Sequence, residues 1–416
     1  MNITNKTLYP LLIIIFIFSF VLASEYSWNE VEKLCLSNNA DIITARENLL
    51  QGEYSEIVAR SGLWPKLSTS AGYQKSKNSA NNLSDSYSLG LSLSQLLFDW
   101  DKTGYDISKS QYAYLGTKEA YKSTLASTGY KLRVAFINVL RYQELQNIYR
   151  EILQRRKQQM ELISLRYDGG REHKGALLTA KANLADAEEN LEETKRSLTL
   201  SLRKLELVMG VEKQPQTKVT TKLVIKEPEP LTPELLVSAN SSFLQYYYNT
   251  KSKELNLKSL VADRLPAIAT GVSYGLNDNT FFPGKESWSF SLNLSYLILD
   301  GGQKDAQEKI AISQYQQALT AERNAKLLTF YTIQEAWYNF ISAYKNVGVQ
   351  KKFLEAITER AKIADIQYNS GQMSYDNWML IENDLINTQK NNFNARIDYL
   401  LGEAGLIQAK GEGLNE

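Results

Sequence analysis

The chain has 416 residues, with 47 lysines and arginines against 46 acidic residues, one cysteine and one histidine. Such balanced charge gives no argument for a nucleic-acid partner, and a lone cysteine excludes an internal disulfide or a cysteine metal cluster. With His173 as the single histidine, no catalytic, cofactor-binding or metal residue is assigned.

Residues 1–23 read as a signal peptide. Lys6 supplies the positive end, and Leu11 to Leu22 form an apolar run too short to span a bilayer. Val21-Leu22-Ala23 suits cleavage, so the mature chain is expected to begin at Ser24. Cys35 lies well beyond that site, which argues against lipidation there.

A first repeat is expected over 24–210. It opens with a helix capped by Ser27 or Asn29 and broken at Asn38-Asn39. That helix stops at Trp64-Pro65, because the residue before a proline is pushed to extended conformations. The strand pair spans 66–98, with Lys75 to Asp85 read as a surface loop rich in Ser, Asn and Lys. In its second strand Leu89, Leu91 and Leu93 alternate with Ser88, Gly90, Ser92 and Ser94. The long helix is expected over 101–166, a stretch without proline. Tyr167 to Gly170 stops it, and 174–209 is an antiparallel return rich in alanine and leucine. Residues 211–233 hold four prolines and form the linker.

The second repeat, 234–410, follows the same plan, with a helix from Leu235 to Arg264 and a strand pair over 267–299. Here the alternation is longest. Trp288, Phe290, Leu292, Leu294, Tyr296 and Ile298 share one parity, and Ser287, Ser289, Ser291, Asn293 and Ser295 the other. One apolar and one small polar face over about ten residues suits a tilted strand crossing a bilayer. A long helix over 302–367, a stop from Tyr368 to Gly371 and a return over 375–408 complete the copy. The tail over 411–416 is expected to be disordered. One offset of 201 residues relates Pro65 to Pro266, Asp99 to Asp300, Tyr167 to Tyr368 and Gly170 to Gly371.

The fold class is therefore a membrane β-barrel joined to a long α-helical coiled-coil barrel, with four transmembrane strands in each duplicated protomer. Four strands cannot close a barrel alone, and an open edge in lipid is not viable, so the chain must oligomerise. The residues alone leave the number of copies open.

Trp28 to Asp41, continuing through Ala59-Arg60-Ser61-Gly62-Leu63-Trp64-Pro65, resembles the N-terminal signature of the outer-membrane efflux, or TolC, family. Leu297 to Gly302 is similar to its strand-to-helix turn, and Tyr167 to Gly170 and Tyr368 to Gly371 to its two periplasmic tips. The resemblance implies an outer-membrane homotrimer with a 12-stranded barrel. It implies a periplasmic tunnel meeting an adaptor (membrane fusion protein) and, through it, an inner-membrane RND or ABC pump. The chain would be the exit duct of a tripartite efflux or type I secretion system. Two departures stand out. Trp100-Asp101 replaces the glycine pair of the turn, so that corner is expected to be looser. Asp376-Asn377-Trp378-Met379-Leu380 holds one carboxylate, which does not carry over the acidic ring of some members.

For the tips, gating and adaptor docking are assigned to Asp168, Gly170, Arg171, Glu172, Lys174, Gly371, Asp376 and Asn377. A clasp between Arg171 and Asp376 is expected, with Leu177 and Trp378 as the apolar alternative for the constriction. Leu89, Leu91, Leu93, Phe290, Leu292 and Leu294 are expected to face lipid. The alternative function is a periplasmic coiled-coil adaptor or structural rod.

Overall fold

The computed structural model describes residues 26–77, 83–212, 218–220 and 225–414. The expected signal peptide, and parts of the linker, lie outside these residues. Helix α1 (Trp28–Asn38) starts at a capping box in which Ser27 and Glu30 exchange side-chain and backbone hydrogen bonds. Asn39 then caps α2 (Ala40–Arg60), its Oδ1 accepting from the Ile42 amide at 3.1 Å. Two 12- and 16-residue strands follow, β1 (Lys66–Lys77) and β2 (Leu83–Phe98). They extend into the segment read as a surface loop, because paired antiparallel strands satisfy each other's backbone whatever the polarity of the side chains. Helix α3 (Lys102–Asp168) and helix α4 (Lys174–Met209) close the first copy.

The second copy contains α5 (Pro233–Val237), α6 (Ser241–Ala262), β3 (Ala267–Asp278), β4 (Lys285–Ser295), α7 (Gln303–Asn369) and α8 (Tyr375–Lys410). The single helix expected from Leu235 is in fact two. Asn240 breaks it, accepting from the Ser242 amide at 2.9 Å, as its twin Asn39 does in the first copy. Both long helices have 67 residues, about 100 Å at 1.5 Å per residue. The 201-residue offset holds without insertion at both ends of the long helices, at both return helices and at their glycine caps, Gly210 and Gly411. Of the tail expected to be disordered, residues 411–414 are described, and Leu414 is buried against Leu125 and Gly129 of α3.

The four strands form one antiparallel sheet in chain order, with β1 and β4 at its edges. The register places Leu67 opposite Leu93, Leu93 opposite Val272 and Val272 opposite Phe290, so the apolar parities of all four strands share one face. Ser68, Ser92, Ser273 and Ser289 line the other face in the same way. Hydroxyls there bond across strands, Ser68 to Ser92 at 2.7 Å and Ser273 to Ser289 at 2.8 Å. Leu292 and Leu294 are 63% and 69% exposed, so none of the described residues covers the apolar face. Pairing of β4 ends at Ser295, although the alternation continues to Ile298.

The strand-to-helix corners use left-handed backbone in both copies. Gly301 and Gly302 have φ of 66° and 88°, and Trp100 and Asp101 have φ of 56° and 66°. The first corner is therefore the same turn, held by residues with a Cβ at a cost of roughly 1–2 kcal/mol each. Trp100 offsets this by donating its indole N–H to the Pro266 carbonyl at 2.9 Å and packing edge-on against Phe98. Asp101 needs room above the first turn of α3. Gly104 supplies it, since a Cβ there would meet the Asp101 carboxylate. In the second copy the glycine and aspartate trade places, as Gly302 and Asp305, and Asp305 pairs with Arg264.

The helices form two antiparallel hairpins, α3 with α4 and α7 with α8, joined along α3 by α6 and α8. Apolar packing is strung out along the rods. One cluster joins Val31, Cys35, Leu132, Phe136, Leu205 and Met209. Another sits at the far end of the hairpins.

Candidate functional site at the helical tips

Helix α3 ends at Asp168, and Gly170, at φ 69°, turns the chain toward α4. The imidazole of His173 caps α4, accepting from the Ala176 amide at 3.1 Å. In the second hairpin Gly371, at φ 81°, makes the reversal. Ser374 caps α8, and the amide of Asn377 donates to its hydroxyl at 3.4 Å. Asp168, Arg171, Lys174, Asp376 and Asn377 are all exposed.

Within the chain the two tips are joined by other residues than the expected clasp. No ion pair links Arg171 to Asp376 among the described residues. Instead the Tyr368 hydroxyl donates to Glu172 Oε1 at 2.9 Å. Arg166 donates to the carbonyls of Tyr368 and Asn369 at 3.2 and 3.3 Å, with its guanidinium 4.3 Å from the Tyr368 ring centroid. The other face of that ring stacks on Trp378 at 4.3 Å and 5°. Trp378 in turn donates its indole N–H to Asp365 at 2.7 Å. Trp378 is therefore a buried part of the hairpin, not an apolar constriction. Burial first, and the bond to Glu172 second, push the Tyr368 phenol well above its ordinary range, so it stays a donor.

About three turns from the tip lies a second, polar junction between α3 and α8. Glu382 is 1% exposed and accepts from Arg155 at 3.2 Å and from Gln159 at 2.7 Å. Arg156 donates to Asn383 at 2.5 Å and to Gln159 at 3.0 Å. Burial lowers the proton affinity of Arg156, and the charge of Glu382 opposes that loss. Sequence reasoning missed this network and Arg166. A signal was present: Arg155, Arg156 and Gln159 have Ala356, Ile357 and Arg360 as their twins, so the copies differ where the rest of their spacing agrees.

The family profile described as outer membrane efflux protein matches residues 32–211 and again residues 236–412. The chain belongs to the outer membrane efflux protein family. It is 21% identical over 389 residues to the probable outer membrane lipoprotein SilC of Salmonella typhimurium, covering 91% of this chain and 84% of that one. Similarity to the outer membrane protein OprJ of Pseudomonas aeruginosa is 22% identity over 378 residues, with 85% and 77% covered. Among solved structures, the Campylobacter jejuni CmeC outer membrane channel superimposes with a TM-score of 0.84 at 17% identity, over 93% of this chain and 86% of that one.

This efflux protein is thus an export channel of the outer membrane, and the family is a transport conduit. The match through both copies tells against a coiled-coil adaptor or rod. Cys35 is fully buried, with its Sγ 3.5 Å from the Val208 carbonyl, and burial pushes its thiol up to about 12. It is a core residue of this chain and offers no exposed thiol for a lipid.

Proposed function

We propose that three copies of this efflux protein close a 12-stranded barrel in the outer membrane and a 12-helix tunnel beneath it. The duct takes cargo from an inner-membrane RND or ABC pump through a periplasmic adaptor. The observation that carries this reading is the sheet, with two open edges, one uncovered apolar face and one serine-lined face, fused to helices of 67 residues. In lipid each unpaired backbone group costs several kcal/mol, so both edges need partners.

The repeat supplies the register. The β2 residues Gln95 and Leu96 pair with Thr270 and Ala269 of β3. Transfer by the same offset sets Tyr296 opposite Thr69 of the next copy and Leu292 opposite its Tyr73. On this reading the unpaired end of β4 is where the next copy's β1 is bound. The expected pairing to Leu299 then belongs to the assembled barrel. The tips, with Asp168, Gly170, Arg171, Glu172, Lys174, Gly371, Asp376 and Asn377, form the gated periplasmic mouth and the surface met by the adaptor.

Crosslinking of the purified protein should give a ladder ending at three, and planar bilayers should show discrete conductance steps. A monomer without conductance would remove the reading.

A further inference from the structure

The two faces of the sheet differ in charge as well as in polarity. By register, the face of Ser68, Ser92, Ser273 and Ser289 also holds Lys66, opposite Ser94, and Lys285, opposite Asn277. These are its only charged residues within the described strands; the rest of that face is serine, glycine, glutamine, asparagine, alanine or leucine. The three carboxylates of the strands, Asp85, Asp278 and Glu286, all fall on the apolar face, where Lys75 stands opposite Asp85.

The hydroxyls of the polar face turn onto the wall itself. Ser88, Ser287 and Ser291 donate to the carbonyls of the glycines opposite them, Gly72, Gly275 and Gly271, at 3.4, 3.3 and 3.4 Å. A Cβ at Gly72 would sit 2.8 Å from the Ser88 hydroxyl, so glycine is what lets the serine lie flat. Both lysines stand out from this wall and are exposed. Lys66 makes no ion pair among the described residues. Lys285, with its side chain 78% exposed, lies 3.7 Å from Asp278, an exposed pair that salt weakens.

Resting on the three-copy barrel proposed above, the polar face lines the lumen. The copies then set a ring of Lys66 at its periplasmic end and a ring of Lys285 at its outer end. Register places Lys66 level with Ser291, and the strand from Ser291 to Lys285 covers roughly 20 Å. That exceeds the screening length of ~8 Å at physiological salt, so each ring acts separately.

We infer that the barrel is an anion-favouring sleeve in which Lys66 and Lys285 select the charge of what passes. The cargo that fits is small anions and organic molecules carrying carboxylate or phosphate. A ring of cations at the mouth of a water-filled pore raises the local concentration of anions and lowers that of cations. With every strand carboxylate on the opposite face, the wall offers a passing cation no compensating charge. The flat wall of bonded hydroxyls holds nothing, so selection is by charge and not by fit.

The test is the reversal potential of the purified full-length trimer in planar bilayers under a gradient of potassium chloride, repeated with potassium gluconate. The parent should prefer the anion, and the preference should shrink between 0.1 and 1 M salt, where the screening length falls from ~10 to ~3 Å. Lys66→Glu with Lys285→Glu should lower the chloride-to-potassium permeability ratio about fivefold, with each single variant giving part of the change. Lys66→Gln with Lys285→Gln, the milder pair, should give about half that shift on a logarithmic scale. Lys75→Glu makes the same charge change on the other face and should leave the ratio where it was. A parent that prefers potassium, or a ratio that stays put in the double variants, overturns the inference while leaving the conducting trimer in place. A shift as large in Lys75→Glu overturns the assignment of faces. Failure of the parent to form a conducting oligomer overturns the three-copy reading itself, and the inference with it.

Discussion

Replacing Glu382 with alanine tests whether the polar junction between α3 and α8 holds the hairpins together. Its carboxylate is 1% exposed and receives bonds from Arg155 and Gln159, with Arg156 close by. The side chain of Arg155 is 41% exposed and can turn into water, so its loss of a partner costs only ~0–1 kcal/mol. Arg156 is 7% exposed and cannot turn out. A buried charge left without its counter-ion costs roughly 3–5 kcal/mol, and Asn383 still accepts from Arg156, so about 3 kcal/mol is expected. Glu382→Gln keeps an acceptor for Gln159 and should cost about half as much. The junction lies at one end of long helices, so the assay is local: amide hydrogen exchange along α3 and α8 near the tips. A loss of 3 kcal/mol corresponds to about a hundredfold faster exchange there, with the strands unchanged. Lys181→Ala, at the exposed twin position, should change little. If both alanine variants exchange alike, the junction is ornament and the reasoning fails.

Leu292→Arg should reduce the oligomer recovered from membranes, at ~2–4 kcal/mol for a cation at mid-bilayer, whereas Ser291→Arg should not. Equal losses would refute the two-faced sheet. Gly104→Ala should destabilise the first corner, since the new methyl meets the Asp101 carboxylate, yet in an Asp101→Gly background it should stabilise by about 1 kcal/mol. Additive effects in thermal unfolding would refute that coupling. Burial raises the carboxyl of Glu403, against the pull of Lys226 and Arg133. A raised folded value means that its stability contribution is full below the ordinary carboxylate range and is lost as pH rises through the folded value. Glu403→Gln should therefore match the parent at about pH 4 and melt higher at about pH 8. A gap independent of pH would exclude ionisation as the cause.

The period-2 alternation made the strands legible, because a sheet with one apolar and one small polar face leaves a side-chain record at every position. Pairing left no such record. The alternation of β4 runs on to Ile298 while its hydrogen bonds stop at Ser295, since a sequence reports which face a residue takes and not which strand lies beside it. Helix ends at glycine and proline were readable for their backbone chemistry. The break at Asn240 was not, because Ala239-Asn240-Ser241 lacks both, and only transfer from its twin Asn39 reveals it. At the tips, the polar groups beside the two glycine stops suggested a clasp between Arg171 and Asp376. Arg171 lies past the reversal at Gly170 and is exposed, whereas Arg166, more than a turn earlier on α3, reaches Tyr368. A shift of five residues changes the helix face, and polarity alone does not report it.

The two corners show how the copies diverged without losing geometry. A left-handed pair of residues is needed in both to turn a strand into a rod. The second copy meets that need with Gly301 and Gly302, and its first helical turn then has space for Asp305 to pair with Arg264. The first copy places Trp100 and Asp101 there, and the space must come from the helix instead, at Gly104. Trp100 gains a bond to Pro266, the proline that opens β3, so the strained corner fastens the first long helix to the second hairpin of the sheet. Strain at one turn thus adds a tie between the two β-hairpins, which belong to different halves of the chain and already meet along β2 and β3. The glycine pair of the second copy makes no such tie in the single chain. By the same offset, the residue it would reach is Pro65 of the next copy, but Gly301 has no side chain with which to reach it. On the three-copy reading, the corner would therefore distinguish the junction inside a chain from the junction between chains.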